Sequence, residues 1–202
     1  MEDLPFSQAC ANNQQPIFEV LSVLLQQRAR VLEIGSGTGQ HSVYFAPRLP
    51  HLLWQTSDVP ENHAAIHAWH RQYPADNLYA PLPLNLTSAN DISQVTTNRY
   101  DAVFTANTLH IVPWALVLRL FEVAASVLPT DGVLIVYGPF NENGSYTSTG
   151  NQRFDISLRQ RDPKSGIRHK EDIVSLANTH HLTLSKTYAM PANNQLLVFQ
   201  KH

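Results

Sequence analysis

Three glycines occupy alternate positions in the segment VLEIGSGTGQH, residues 31–41, directly after a short apolar run. Gly35, Gly37 and Gly39 follow Glu33 in the order E-x-G-x-G-x-G and are three of the chain's eight glycines. Glycine permits backbone conformations that side chains forbid, and it lets another molecule approach the main chain closely. The spacing therefore predicts a ligand-binding turn between a strand and a helix.

The position of the third glycine distinguishes between the classes of ligand that such a turn can bind. A dinucleotide-binding loop has the order G-x-G-x-x-G, which would require glycine at position 40, where the chain has Gln40. The loop also offers no Lys or Thr in the arrangement of a phosphate-binding P-loop. The pattern thus disfavours a nicotinamide-dependent oxidoreductase and a phosphate ligand.

An acidic residue ends the next apolar run, LLWQTSD. Asp58 follows the glycine turn by about 20 residues, where an acid contacts the ribose in nucleotide-binding sheets. Its two carboxylate oxygens can accept hydrogen bonds from two neighbouring hydroxyl groups. The alternative is a tight turn followed by an aspartate that caps a helix, with no ligand.

The E-x-G-x-G-x-G turn with Asp58 resembles the first motifs of class I S-adenosylmethionine-dependent methyltransferases. The resemblance implies that the glycine backbone contacts the methionine part of the cofactor and that Asp58 holds the ribose. It also implies a backbone contact at Asn107 and an amide contact from Asn85 to the adenine. The implied cofactor-binding set is Glu33, Gly35, Ser36, Gly37, Gly39, Asp58, Val59, Asn85, Leu86 and Asn107.

A closer resemblance extends over nearly the whole chain. The segments FSQACANNQQPI, NTLHIVPW, YGPFNENGSYTSTGNQRFD and PANNQLLVFQK are similar to the DUF938 family, whose members have a methyltransferase-like fold. Two positions depart from the family's pattern. Asn12-Asn13 replaces Arg-Asn, which removes a cation from the N-terminal segment, and Asn85 replaces Asp after the third strand.

One histidine follows the fourth predicted strand, beside the methyl position that the resemblance implies. His110 is the nearest residue able to take a proton near neutral pH, so it is the candidate catalytic base. Methyl transfer depends mainly on aligning the reacting atoms, and a base is needed only for a nucleophile that must lose a proton. The alternative is that His110 packs against Trp114 or bonds to a loop carbonyl.

The connection after the fifth strand, residues 140–169, is far longer than the usual connection of about 4 to 6 residues. It is rich in aromatic and amide side chains, which suits a lid over a small, largely neutral or aromatic substrate. Arg168 could bind a substrate carboxylate, or pair with Asp155 or Asp162. The candidate substrate residues are Asn13, Tyr146, Asn151, Arg168, Asn193 and Asn194.

Three histidines, His63, His67 and His70, share one flank of a predicted helix. Histidines four residues apart can bind zinc, but no cysteine or carboxylate nearby completes a ligand set. We therefore interpret them as a solvated or half-buried flank and predict no metal.

Alternating apolar runs and helical periods place these residues in an α/β fold. The predicted fold class is a doubly wound, mostly parallel seven-stranded sheet with an antiparallel last strand, the Rossmann-like fold of class I methyltransferases. A single domain is expected over residues 1–202, with an N-terminal segment, residues 1–15, that either folds over the cofactor or frays. The first helix is predicted from Pro16 to Arg28, and inward-facing positions include Tyr73, Trp114 and Leu118.

Composition limits the partners. Of the 202 residues, 15% are charged and the formal net charge is −2, so the basic surface of a nucleic-acid or membrane binder is missing. Cys10 is the only cysteine, and neither a signal peptide nor a membrane span is visible, so a cytoplasmic protein is expected. The predicted function is methyl transfer from S-adenosylmethionine to a small molecule. The alternative is a non-catalytic protein that binds S-adenosylmethionine or S-adenosylhomocysteine for regulation or assembly.

Overall fold

The computed structural model describes residues 4–202, so the acidic start of the chain at residues 1–3 lies outside the described residues. The described chain forms seven α-helices and eight β-strands. By its internal contacts it divides between Phe104 and Thr105 into two compact units. The single domain over residues 1–202 stays a prediction.

The first unit alternates strands with helices and ends inside its fourth strand. Its elements are α1 (Gln8–Leu24), β1 (Arg30–Ile34), α2 (Gln40–Phe45), β2 (Leu53–Asp58), α3 (Pro60–Gln72), β3 (Leu78–Pro83), α4 (Ala89–Thr96) and β4 (Ala102–Ala106).

The second unit begins with the turn that leads from β4 into a long helix. Its elements are α5 (Trp114–Val127), β5 (Val133–Asn141), α6 (Thr149–Arg161), β6 (Arg168–His169), α7 (Lys170–Thr179), β7 (Leu182–Met190) and β8 (Asn194–Lys201).

Parallel pairing organises the strands of the first unit. β1 lies between β2 and β4, and β3 pairs with the other side of β2, all in parallel. The β2–β3 register shifts between Gln55 and Ser57. Pro81 and Pro83 lack backbone donors, which suits this irregular edge position, as the sequence predicted for β3. The carboxyl ends of β1, β2 and β3 therefore share one edge, where ligands bind in open α/β sheets.

The last strand of the second unit runs antiparallel, as predicted. β8 pairs with β5 on one side and β7 on the other, both antiparallel, while the two-residue β6 pairs in parallel with the end of β5. The predicted fold class, an α/β fold with a mostly parallel sheet and an antiparallel last strand, is confirmed.

Each unit has an apolar core of its own. In the first unit the fully buried rings of Phe45, Trp54 and Phe104 contact one another with centroids 5.6 to 5.9 Å apart. In the second, Phe121 of α5 lies edge-on to Phe199 of β8 at 6.0 Å. Such aromatic contacts fix helices onto strands and so fix the strand ends that carry the polar residues.

The start of the first helix was predicted wrongly. α1 begins at Gln8, not at Pro16, because Ser7 caps the helix by accepting from the Cys10 amide. Pro16 therefore lies inside the helix, where it lacks an N–H for the carbonyl of Asn12. Residues 8–15 are helical rather than a polar segment ahead of the first helix. The contact of Asn13 with His41 helps to explain why the helix includes the residues that precede Pro16.

Three positions predicted to face inward are exposed. Tyr73 lies just beyond α3, outside its periodic stripe, and stacks on Trp69. In α5 the buried stripe follows Val117, Phe121 and Ala124, which leaves Trp114 and Leu118 on the rim of the helix. The helices α4 and α6 were not predicted, and α6 occupies much of the expected lid.

Candidate functional site

The glycine turn after β1 has the backbone that only glycine adopts freely. Gly35, Gly37 and Gly39 have φ values of 77°, 59° and 90°. A Cβ atom on Gly39 would lie 3.0 Å from the Ile66 Cα atom of α3, whereas a Cβ atom on Gly37 would meet nothing within 4 Å. Gly39 is therefore required by packing inside the protein, and Gly37 faces open space.

The Asp58 carboxylate closes this turn from the end of β2. Its Oδ2 atom accepts from the Gly37 amide at 2.6 Å, and Oδ1 accepts from the Val59 amide at 2.7 Å and from Asn62 Nδ2 at 2.9 Å. A carboxylate has about four acceptor positions, so one position on Oδ2 remains. The predicted contact of Asp58 with two ribose hydroxyls is thus limited to one unless a bond within the chain opens.

Glu33 supports the turn from inside the sheet. Its side chain is 2% exposed, and Oε2 accepts from Trp54 Nε1 at 3.0 Å. Burial, with a smaller contribution from the Asp58 charge, raises the pKa of Glu33 to about 7, while hydrogen bonds from Trp54 and Ser36 oppose the shift. Because it is buried and bonded to Trp54, we interpret Glu33 as a residue that supports the conformation of the turn.

The remaining predicted cofactor residues of the first unit border the same strand ends. Ser36 is buried, and its hydroxyl accepts from the Ser57 amide at 3.2 Å. Val59 precedes α3 with an extended backbone, and Leu86 is buried after β3. Asn85 uses its Oδ1 atom for Thr87, which leaves its amide nitrogen for a ligand such as a purine.

The N-terminal helix is fastened to α2, directly after the glycine turn. Gln40, 4% exposed, receives a hydrogen bond from the Ser7 amide and donates to the Ser7 carbonyl. His41 Nε2 lies 2.7 Å from Asn13 Oδ1, and burial lowers the pKa of His41 to about 4. A neutral His41 therefore donates to Asn13. Asn13, a predicted substrate residue, is therefore buried and bonded to His41 within the first unit.

In the second unit, a turn of residues 107–113, here called the His110 turn, follows β4. Asn107 has a positive φ of 57°, and its amide donates to the Tyr137 carbonyl at 2.9 Å. The His110 ring is buried edge-on against Phe154, with centroids 5.3 Å apart. Burial, together with the charges of Arg168 and Arg161, lowers the pKa of His110 to about 4. The imidazole is therefore neutral at physiological pH.

Arg168 bonds to backbone carbonyls and not to a carboxylate. Its Nε atom donates to the Leu109 carbonyl at 2.9 Å, and Nη2 donates to the carbonyls of Val112 and Lys164. Its predicted pairing with Asp155 or Asp162 is not formed. Asp155 instead accepts from Arg159 Nε at 2.8 Å. Arg168 also lies over the Trp114 ring, which it partly covers.

The other predicted substrate residues are linked to one another. Asn151, buried at the start of α6, donates through Nδ2 to the Asn193 carbonyl at 3.2 Å. Asn194 Nδ2 caps the same hairpin turn through the Pro191 carbonyl at 3.0 Å. Tyr146 donates to Asp155 at 2.8 Å, a bond that raises the pKa of its hydroxyl. The structure thus joins the start of α6 to the β7–β8 turn.

Some polar residues of these networks were not predicted. Asn62 stands four residues after Asp58, on the first turn of α3, and that spacing could have indicated it. Asp155 and Ser165 carry no such local signal. Within residues 4–202, no group of three or more His, Cys, Asp or Glu side chains could hold a metal ion. Over the same range, no helix is both long and apolar enough to cross a bilayer.

Solved structures share this fold across nearly the whole chain. An O-methyltransferase family protein from Burkholderia thailandensis has a TM-score of 0.82 at 16% identity, over 96% of this chain and 57% of that one. Human N-acetylserotonin methyltransferase in complex with SAM has a TM-score of 0.77 at 13% identity, over 96% of this chain and 53% of that one. The chain thus has the fold of class I O-methyltransferases.

A third solved structure, an O-methyltransferase family 2 protein from Planctomyces limnophilus in complex with apigenin, has a TM-score of 0.74 at 14% identity, over 95% of this chain and 62% of that one. The chain spans only 53% to 62% of the length of these three proteins. The family model described as "Protein of unknown function (DUF938)" matches residues 4–201. This protein therefore belongs to the DUF938 family.

Proposed function

We propose that this protein transfers a methyl group from S-adenosylmethionine to the hydroxyl group of a small, largely neutral or aromatic molecule. The observation that carries the proposal is the geometry of the glycine turn. Asp58 Oδ2 is held 2.6 Å from the Gly37 amide, and the space above Gly37 is open. A carboxylate at this position can hold a ribose beside bare main chain.

The residues of the first unit fit S-adenosylmethionine better than a phosphate-containing cofactor. Gln40 stands where a dinucleotide-binding loop has its third glycine, and the three glycines present offer uncharged backbone. Asn85 keeps an amide donor for a purine ring nitrogen. When bound, the cofactor supplies an electrophilic methyl group, and the chain's own residues bind and orient the reactants.

On the acceptor side, His110 is the proposed proton acceptor. A neutral, buried imidazole with a pKa of about 4 can orient a hydroxyl proton, but it is a weak base. A weak base suffices where the hydroxyl is itself acidic, as in a phenol. Phe154, Trp114 and Tyr146 are half-exposed aromatic side chains of the second unit, and they suit an aromatic acceptor.

The printed names of the structural neighbours support the same chemistry. The human protein is an N-acetylserotonin methyltransferase that holds SAM, and the Planctomyces protein holds apigenin. Both names refer to aromatic molecules. The remaining alternative is a non-catalytic protein that binds S-adenosylmethionine or S-adenosylhomocysteine and transfers no methyl group.

Calorimetric titration of the full chain with S-adenosylmethionine, S-adenosylhomocysteine and NADH tests the cofactor. We expect the first two to bind and NADH not to bind. Binding of NADH without S-adenosylhomocysteine would overturn the proposal.

Mass spectrometry of a small-molecule extract incubated with methyl-labelled S-adenosylmethionine tests the transfer. We expect a labelled product with the native chain and much less with His110→Ala. Binding of S-adenosylhomocysteine without any labelled product would favour the non-catalytic alternative.

A further inference from the structure

Four consecutive backbone carbonyls in the His110 turn, at residues 109–112, are all bound by one distant segment. Arg168 donates to the Leu109 and Val112 carbonyls, and the Gly166 amide donates to the His110 carbonyl at 2.9 Å. The Ser165 hydroxyl donates to the Ile111 carbonyl. We call residues 165–168 the clasp. Backbone carbonyls that have no partner within a helix or strand need other donors, and here the clasp supplies one to each of these four.

The clasp is itself buried and sterically restricted. Ser165 and Ile167 are 5% and 2% exposed. Gly166 has a φ of 144°, and a Cβ atom there would lie 2.4 Å from Arg159 Nη2 and 2.9 Å from Asp155 Oδ1. Only glycine fits, so the main chain is pressed against the Asp155–Arg159 pair of α6.

Two anchors outside the turn hold the clasp in place. Asp155 Oδ1 accepts from the Ile167 amide at 2.6 Å, while Oδ2 accepts from Tyr146 and Arg159. Burial alone would raise the pKa of Asp155, but these hydrogen bonds outweigh it and hold the pKa below its ordinary value. At its other end the clasp joins the sheet, because Arg168 pairs with Phe140 of β5.

We propose that the clasp positions the His110 imidazole for methyl transfer, with Ser165 and Arg168 as positioning residues that act through the carbonyls of the His110 turn. This inference rests on the proposed function, since it gives His110 an acceptor to orient. Arg168 is accordingly assigned to holding the turn and not to binding a substrate carboxylate. The arrangement resembles a scaffold around a reactive side chain, which must be held within a fraction of an ångström to be effective.

The charged groups around His110 determine how the test is designed. Arg168 of β6 and Arg161 of α6 both carry positive charge toward the ring. The Asp155 charge is paired with Arg159. A variant that tests positioning must therefore leave the charge unchanged. Ser165→Ala and Arg168→Lys both do so, and each removes or loosens contacts with the carbonyls of the turn.

The experiment records the imidazole signals of His110 by ¹⁵N NMR of the full chain across a pH titration. Ser165→Ala and Arg168→Lys are compared with two controls. Ser157→Ala removes a hydroxyl that bonds to the Phe154 carbonyl of its own helix, and Arg161→Met removes charge without touching the turn. Loosening the turn admits water, so we expect both clasp variants to raise the pKa of His110 by at least about one unit.

Unchanged His110 titration in folded Ser165→Ala and Arg168→Lys, matching Ser157→Ala, would overturn the inference. If Arg168→Lys does not fold, Ser165→Ala alone decides. Arg161→Met is expected to raise the pKa less than the clasp variants, because its exposed charge is screened by solvent.

Kinetics supply a second readout with any acceptor found for the native enzyme. We expect the clasp variants to lower kcat about tenfold or more while KM for S-adenosylmethionine stays the same. Failure of the native chain to bind S-adenosylhomocysteine would refute the proposed function. Normal binding of S-adenosylhomocysteine, together with an unchanged His110 titration in the clasp variants, would refute only the role of the clasp.

Discussion

The backbone amide of Gly37 donates a hydrogen bond of 2.6 Å to the Asp58 carboxylate, which joins the turn after β1 to the end of β2. The two residues are 21 positions apart in sequence, yet the parallel β1–β2 pairing brings their strand ends to one edge. Asp58 therefore both shapes the glycine turn and keeps one acceptor position.

Replacing Asp58 by alanine should weaken S-adenosylhomocysteine binding at least about tenfold, because a hydrogen bond to a charged group contributes about 1.5–3 kcal/mol. Asp101→Ala is the matched control, since Asp101 also accepts from two backbone amides, of Ala29 and Arg30, but at the opposite end of β1. The measurement is calorimetric titration of both variants. Equal affinities of the two variants for S-adenosylhomocysteine would show that Asp58 does not contact the ligand.

Alanine at Gly39 should mainly reduce stability, whereas alanine at Gly37 should mainly reduce ligand binding. Both positions have positive φ, so each variant loses about 1–2 kcal/mol of unfolding free energy to backbone strain. Gly39→Ala should lose more, because its Cβ atom also presses on Ile66. Gly37→Ala has room inside the protein, and it should instead abolish S-adenosylhomocysteine binding by filling the ligand's space. Urea unfolding and calorimetry check this pair, and native-like binding by Gly37→Ala would contradict it.

Glu33→Gln should change how stability depends on pH. The folded-state pKa of Glu33 is raised to about 7, so the folded chain holds this proton more tightly than the unfolded chain. The stabilising effect is complete below the unfolded pKa of about 4.5 and is lost as pH rises through about 7. Gln keeps an acceptor for Trp54 without titrating. The free energy of unfolding of the variant, relative to native, should therefore rise between about pH 5 and pH 8 in urea titrations, and parallel profiles would argue against a raised pKa.

Asn13→Ala should cost about 1–3 kcal/mol of unfolding free energy, because it leaves the buried His41 Nε2–H without an acceptor. Asn12→Ala is the neighbouring control, since Asn12 is exposed and its side chain bonds to Gln8 in the preceding turn of the helix. Urea unfolding of both variants at neutral pH measures the difference. Similar losses for the two variants would show that the Asn13–His41 bond contributes little.

Local chemistry explains which features the sequence could predict. The glycine turn was predictable because three glycines at alternate positions after an apolar run favour a turn, and all three do have positive φ. The position of Asp58 beside this turn was predictable because parallel strands place their ends together, while its contact with a ribose stays a prediction. The edge position of β3 followed from its prolines, and the antiparallel β8 followed from the lack of a crossover helix.

The features that the sequence could not predict depend on contacts between distant residues. α1 begins at Gln8 because Asn13 and Ser7 bond to His41 and Gln40, about 30 positions away. The clasp is also invisible in sequence, since Ser165 and Arg168 bond to carbonyls more than 50 positions earlier. Every residue has a backbone carbonyl, so the pattern of side chains cannot indicate which carbonyls accept a hydrogen bond. The sequence could therefore single out Arg168 but not its partners.

A crystal structure of the full chain with S-adenosylhomocysteine tests the central claim most directly. The account predicts the ligand against the main chain of residues 35–39, with one ribose hydroxyl at a hydrogen-bond distance of about 2.6–3.0 Å from Asp58 Oδ2. Ligand bound elsewhere, or an Asp58 carboxylate that contacts only Gly37, Val59 and Asn62 while the ligand is present, would contradict it.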